Sequence, residues 1–350
     1  MVKSSMADDP NADSRADFRA DSRVDSRSDS RSDSRSDSPV DTRADPRAAS
    51  SSDFRADASP DRNDDPVAAQ ALAELPAALP HDSAEDDDYH RRFGGVARLY
   101  GADGLARLEA ASICVVGIGG VGSWAAEALA RNAVGRITLI DLDHIAPSNT
   151  NRQIHALGDE YGRAKVEAMA QRLLQINPRV RVRPVDDFVT PDNVEALLAG
   201  HDYVIDAIDA VKVKIAMLGW ARRQRLPIVT CGGAGGQLDP TRVRVADLSR
   251  TIQDPLLAKV RAGLRKQWGL PRDPKKPFGL PAVYSDEPLR YPEPEQQACE
   301  IDEAPFADAA HPRQGPQGLA CAGFGSSVAV TAVFGFVAAS VALSAIAQPG

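Results

Sequence analysis

The sequence predicts an α/β fold: a Rossmann-like, open, mostly parallel sheet with helices on both faces, extended at its C-terminal end by helix and loop. Three observations carry this. Apolar strand-like runs alternate with helically spaced segments between residues 112 and 233. A glycine-rich turn, "GIGGVG" (117–122), stands between the first run and the first of these helices. An acid, Asp141, follows 19 residues past Gly122, at the end of the second run.

The elements follow in order. "HRRFGGVARLYGADGLARLEAA" (90–111) combines a turn at Gly94 and Gly95 with helical spacing from Ala102. "SICVVGI" (112–118) is an unbroken apolar run, as a strand covered on both faces requires. Residues 124–131 form a helix opening on the glycines. "GRITLIDLD" (135–143) is the second strand, closed by acids. "GRAKVEAMAQRLLQI" (162–176) places Val166, Met169, Ala170, Leu173 and Leu174 on one helical face. "RVRVRPVDDF" (179–188) alternates as a strand. "TPDNVEALLAG" (190–200) starts a helix with Thr190 as N-cap and Pro191 at the first helical position. "DYVIDAID" (202–209) and "PIVTCGG" (227–233) are further core strands, separated by the helix "KIAMLGWARRQR" (214–225).

Beyond about residue 240 the pattern changes. "DPLLAKVRAGLRKQWGL" (254–270) reads as a basic helix, and 271–318, rich in Pro, Gly and charge, as loops. "LACAGFGSSVAVTAVFGFVAASVALSAIA" (319–347) contains no charged residue. Its length permits a membrane span, which would make the protein membrane-associated. Its dominance by Ala, Gly, Ser and Val favours a buried, closely packed helix instead.

Charge divides the chain into two regions. Residues 1–88 hold 11 Lys+Arg against 22 Asp+Glu; subtracting these from totals of 41 and 49 leaves 30 and 27 for residues 89–350. In the first region Asp recurs every four residues from Asp13 to Asp45, and Arg does so from Arg15 to Arg35. A helix there would stack like charges one turn apart. With little apolar surface to offset the entropy of ordering, residues 1–88 are expected to be a disordered tail. A short apolar piece, 67–80, is expected to be a transient helix. Residues 89–350 are expected to fold, with a mildly basic balance compatible with an anionic macromolecular partner. The first residues, "MVKSSMADDP", show no secretory signal. Four cysteines without a C-x-x-C pair argue against a disulfide framework or a structural zinc and fit a reducing cytoplasm.

The chemistry converges on the glycines. Gly117, Gly119 and Gly122 fit G-x-G-x-x-G, a turn that lets a phosphate approach the backbone and a helix N-terminus. Asp141 is placed for ribose hydroxyls. A dinucleotide would need nothing more, yet Asn149, Arg152 and Lys165 follow. A triphosphate attacked at its α-phosphorus develops charge that calls for such clamps and for a metal-holding acid. Asp209 lies at the carboxyl edge of a third strand, where open sheets bind ligands. Gly120 serves either phosphate approach or helix–strand packing. Asp206 reads as a strand cap, and a strand cap is one reading of Asp143. Cys231 reads as a buried strand cysteine, having no histidine close in sequence to activate it. Cys114 is core; Cys299 and Cys321 are left unassigned.

Several motifs recur together: R-F-G-G-x-A-R-L-Y-G, G-I-G-G-V-G-S, L-I-D-x-D, N-T-N-R-Q, A-K-V-E and D-A-I-D. In this order they resemble the ubiquitin-activating-enzyme superfamily of adenylating enzymes. "TNRQIHAL", "INP", "VDDFVTPDN", "GGAGGQLDP" and "TIQDPLLAKVR" resemble, within it, the tRNA threonylcarbamoyladenosine dehydratases. The resemblance spans roughly residues 89–347. It implies an ATP- and magnesium-dependent cyclisation of threonylcarbamoyladenosine beside the tRNA anticodon, a homodimer, and a cysteine desulfurase system as partner. It assigns Gly119 and Gly122 to the phosphate turn, Asp141 to the ribose, Asn149, Arg152 and Lys165 to phosphates, and Asp209 to magnesium. In relatives that activate sulfur carriers, R-Y-x-R ends on an arginine that reaches the partner subunit's ATP. Here that position is Gly95, leaving Arg92 and Arg98 as candidates. The same relatives commonly carry two C-x-x-C pairs, which this chain lacks. Sulfur-carrier adenylation and a silent nucleotide-binding scaffold remain the rival readings. The basic run with Lys259, Arg261, Arg265 and Lys266 is either a solvated face or a surface for RNA phosphates.

Overall fold

The computed structural model describes residues 83–273, 275–291 and 324–348. The Asp/Arg repeat, the apolar piece 67–80, Cys299 and Cys321 lie outside these residues. The elements are helix α1 (Ser83–Ala110), β1 (Ser112–Val116), α2 (Gly122–Arg131), β2 (Arg136–Ile140), α3 (Lys165–Ile176), β3 (Arg181–Val185), α4 (Val194–Leu198), β4 (Tyr203–Asp206), α5 (Val211–Gln224), β5 (Ile228–Cys231), β6 (Val243–Asp247), α6 (Pro255–Gln267), β7 (Pro281–Ser285) and α7 (Val328–Ala347).

The strands form one sheet in the order β3-β2-β1-β4-β5-β7-β6. Every pairing is parallel except β6 with β7. The chain runs outward from β1 through β2 to β3, then returns to β1's other side as β4. Strand order therefore reverses between β1 and β4, and a crevice opens beyond their carboxyl ends.

All five residues of β1 are buried, and their alternation feeds two cores. Ile113 and Val115 join Leu129 of α2, Met169 and Leu173 of α3, and Phe334, Ala338 and Ala342 of α7. Cys114 and Val116 join Met217 and Leu218 of α5 and Leu257, Val260 and Leu264 of α6. Covering both faces is what allows a parallel sheet of uninterrupted apolar strands.

Helix α7 satisfies the length and hydropathy of a membrane span. In this fold its small residues lie against α2: Gly335 comes so close that a Cβ there would collide with the Val121 carbonyl oxygen. Phe336 meets Trp124 edge-on at 5.7 Å. The helix is half buried in this packing, and it starts at Val328 rather than near 319.

Four other expectations need correction. Helix structure is already present before residue 89: α1 starts at Ser83, and Asp86 pairs with Arg179. Gly94 and Gly95 lie inside α1 rather than in a turn; the break comes at Gly101 (φ 79°, ψ 166°). Helix α4 starts only at Val194, because the Asn193 side chain accepts from the Thr190 amide and donates to the Phe188 carbonyl, folding 190–193 as a turn. Finally, 271–318 is not all loop. Residues 281–285 form β7, an interior strand that continues the parallel sheet.

A candidate nucleotide-binding site

Two segments border the crevice: the glycine turn after β1 and the loop 207–210 after β4. Gly117 adopts φ 88°, a conformation glycine takes without strain. A Cβ there would also stand 2.9 Å from Ile208 Cγ2 and 3.1 Å from the Ala207 carbonyl oxygen. Gly122 is tighter still, since a Cβ would overlap the Gly117 carbonyl. The two glycines thus allow the turn to fold onto itself and onto the opposite loop. Gly119 faces open space, with only Gln153 Nε2 as near as 4.0 Å to an added Cβ. Gly120 packs under the stem of Arg152, whose Cγ lies 3.0 Å from that position. Gly120 therefore allows the close approach of Arg152.

Asp141 follows β2 and anchors the turn. Its two carboxylate oxygens accept from the Ile118 amide at 2.6 Å and the Asp143 amide at 2.9 Å. Burial raises its pKa, opposed by the Lys165 charge and these amide bonds. Lys165, the first residue of α3, is 5% exposed, which excludes a solvated surface lysine. Its ammonium lies 2.7 Å from Asp143 Oδ2 and 3.9 Å from Asp141 Oδ1. Asp143 is thus the lysine's partner rather than only a strand cap. An incoming phosphate would compete with an exposed carboxylate for this ammonium.

Arg152 reaches the turn from the segment after β2. Trp124 Nε1 donates to the Arg152 carbonyl at 2.9 Å and ties that segment to α2. The guanidinium donates to Ser148 O and Asn151 Oδ1, both at 2.9 Å. Asn149 Oδ1 accepts from the Ala146 amide at 3.0 Å and shapes the turn before Arg152. Asp209 sits half-buried in the loop facing the glycines.

Three buried side chains of this region were not singled out by sequence reasoning. Ser123 Oγ, Gln153 Oε1 and both His155 nitrogens find no hydrogen-bond partner among the described residues. Burial, then the charges of Lys165 and Arg172, push the His155 imidazole down to about 4, so it is neutral. "TNRQIHAL" held the signal: two polar side chains alternating with apolar ones.

Other assignments separate by position. Arg92 bonds Asp88 and the Gln175 and Ile176 carbonyls, capping the end of α3 within its own chain. Arg98 is exposed on α1. Cys231 is buried, and desolvation pushes its thiol up to about 12, far from a thiolate nucleophile. On α6, Lys259 and Lys266 are exposed. Arg261 bonds Thr251, whereas Arg265 bonds Pro271 O and lies 5.5 Å from the Phe278 ring centroid. Arg265, Lys266 and Arg272 line a cleft of about 340 Å³.

The chain matches the ThiF family over residues 89–349. It is 53% identical to the tRNA threonylcarbamoyladenosine dehydratase of Escherichia coli over 259 residues, 73% of this chain and 94% of that protein. The Haemophilus influenzae protein of the same name is 47% identical over the same shares. The structure of the E. coli enzyme in complex with ATP superposes with TM-score 0.65 at 48% identity, covering 78% of this chain and all of that one. With a glycine turn anchored by Asp141, Arg152 and Lys165 beside it, and a match that runs over residues 89–349, the chain belongs to the ThiF family.

Proposed function

We propose that this protein is an ATP-dependent tRNA threonylcarbamoyladenosine dehydratase that adenylates the threonyl carboxylate of its substrate. The observation that supports this best is the set of contacts around the glycine turn: Asp141 accepts from the Ile118 amide, Lys165 lies 3.9 Å from Asp141, and the stem of Arg152 packs on Gly120. The identity to the dehydratases, 53% over nearly a full relative, agrees with it.

In this reading the substrate carboxylate attacks the α-phosphorus of ATP and pyrophosphate leaves. Arg152 and Lys165 offset the charge that grows there, and Asn149 helps hold the phosphates. Asp141 keeps the turn in shape and faces the ribose. A group of the same substituent then displaces AMP, closing the ring. Intramolecular attack carries effective molarities of roughly 10⁵–10⁸ M, so no enzyme nucleophile is needed. The buried, protonated Cys231 is consistent with that.

Magnesium fits the residues present. Among the described residues no group of three or more His, Cys, Asp or Glu side chains gathers. Magnesium does not need one, since it takes one or two carboxylates together with phosphate oxygens and water. Asp209 would hold it, and the ion would add positive charge beside the phosphates. The same reading places the protein in the cytoplasm as a homodimer, with a cysteine desulfurase system as partner. The exposed side of α7, with Val328 and Phe336, is the surface assigned to the dimer, and Arg98 is the residue assigned to the partner's site. The α6 basic row receives tRNA phosphates.

The test is incubation with ATP and tRNA carrying threonylcarbamoyladenosine, followed by mass analysis of nucleosides and counting of AMP. Lys165→Ala and Asp209→Ala are expected to lower cyclic product by roughly 10²–10³-fold, and Cys231→Ser to retain most of it. Adenylation of a sulfur-carrier C-terminus without cyclic product would transfer the chain to the carrier-activating relatives. Loss of ring closure with continued AMP release in Cys231→Ser would indicate a thioester and overturn the mechanism.

A further inference from the structure

The mechanism leaves unused a buried charge pair that joins β4, α5 and β5. Asp206 ends β4, Lys214 lies in the first turn of α5, and Thr230 belongs to β5; all three are fully buried. Lys214 Nζ donates to Asp206 Oδ2 at 2.8 Å and to Thr230 Oγ1 at 3.0 Å. Thr230 Oγ1 donates to the same carboxylate oxygen at 2.6 Å. Stability alone is a weak reason to bury such a pair, because apolar residues of similar volume fill a core as well or better.

Its place in the chain suggests another use. Asp206 and Lys214 bracket the loop 207–210. Lys214 N donates to the Ala210 carbonyl at 3.0 Å, closing the first turn of α5, and Asp206 Oδ1 faces the Ile208 amide at 3.4 Å. The loop in turn lies on the phosphate turn: Ala207 N donates to the Val116 carbonyl at 2.9 Å, and Ile208 covers Gly117. Thr230 adds a third element to the same point. Apolar packing tolerates sliding, whereas a buried ion pair has one satisfied arrangement, and any displacement leaves charge unpaired.

We propose that Asp206, Lys214 and Thr230 are positioning residues that staple the two ends of loop 207–210 and hold it against the glycine turn. This rests on the nucleotide-site reading above. It makes the width of the crevice, and with it the place of Asp209, depend on a hydrogen-bonded charge pair that touches no ligand.

The experiment uses the full chain and three readouts: amide hydrogen exchange at 207–210, ATP affinity by calorimetry, and cyclic-product turnover. Lys214→Met, folded by circular dichroism, is expected to exchange these amides faster and bind ATP more weakly. Its turnover should fall by roughly 10²-fold, the cost of a misplacement of about 1 Å. Thr230→Val, which keeps both charges, should show the same changes at about tenfold, the effect of one lost buried hydrogen bond. Thr230→Ser keeps the hydroxyl and should stay near the parent. Parent-like exchange and ATP affinity in a folded Lys214→Met or Thr230→Val overturns the proposal, as does a Thr230→Ser impaired as much as Thr230→Val. If Lys214→Met does not fold, Thr230→Val decides alone. Asp209→Asn separates this inference from the reading beneath it. Unchanged ATP binding and turnover there would remove Asp209 from the site, while the exchange of 207–210 still decides whether the staple exists.

Discussion

His155 ties the candidate site to acid stability. The imidazole is 3% exposed and both nitrogens lack a partner among the described residues. Burial, aided by Lys165 and Arg172, takes it from 6.5 to about 4. Below about pH 6.5 the unfolded chain takes up a proton that the folded protein refuses. The stability from this residue is therefore complete above that pH and is lost as pH falls toward 4. At about 1.4 kcal/mol per unit, the window is worth about 3 kcal/mol. That is a large share of the roughly 5–15 kcal/mol that holds a domain together. The perturbation is His155→Leu, which removes the titration and both orphaned nitrogens. Urea unfolding between about pH 7.5 and about pH 4.5 gives the free energies. The variant is expected to gain on the parent by about 1.4 kcal/mol for each unit of acidification below about 6.5. Parallel pH profiles for the two proteins, or an imidazole titrating near its ordinary value in the folded state by NMR, would refute the reasoning.

Two further outcomes are expected. Gly122→Ala drives a methyl group into the Gly117 carbonyl, so the turn must open; ATP binding by calorimetry should be lost, with a stability cost of about 1–3 kcal/mol. Variants with intact ATP affinity would free the turn from its role. Lys259→Glu with Lys266→Glu should weaken tRNA binding, leave ATP binding unchanged, and lower the salt slope by about one for each phosphate that the protein ceases to neutralise. An unaltered slope would place the RNA on another face.

The nucleotide half of the fold was legible because its rules are local. An apolar run, a glycine turn and a helix leave little freedom, and β1, α2 and β2 lie where "SICVVGIGGVGSWAAEAL" and "GRITLID" put them. β7 was hidden because "PAVYS" is short and flanked by Pro and Gly; its burial comes from β5 and β6, which are distant in sequence. Gly94 and Gly95 misled because glycine weakens a helix without forbidding it, and packing of Tyr89 and Phe93 on Ala133 holds α1 in place. Within the site, residue types showed which side chains carry charge but not what they touch. The pairing of Lys165 with Asp143 and of Lys214 with Asp206 appears only in three dimensions. Lys214 did leave a trace: it shares the buried face of α5 with Ile215, Met217, Leu218 and Ala221, a place where a lysine needs a partner.

The packing of α7 against α2 bears on how the protein is made. Val330, Phe334, Ala338 and Ala342 complete the same core as Ile113 and Val115 of β1, yet follow them by more than two hundred residues of chain. During synthesis, β1, β2 and the glycine turn leave the ribosome with α2 and α3 soon after them, but long before α7, which completes their cover. Until residues 328–347 emerge, part of that face and the flank of α2 stay wet and adhesive. A nascent chain stalled before Val328 would therefore be a client for chaperones rather than a smaller nucleotide-binding domain.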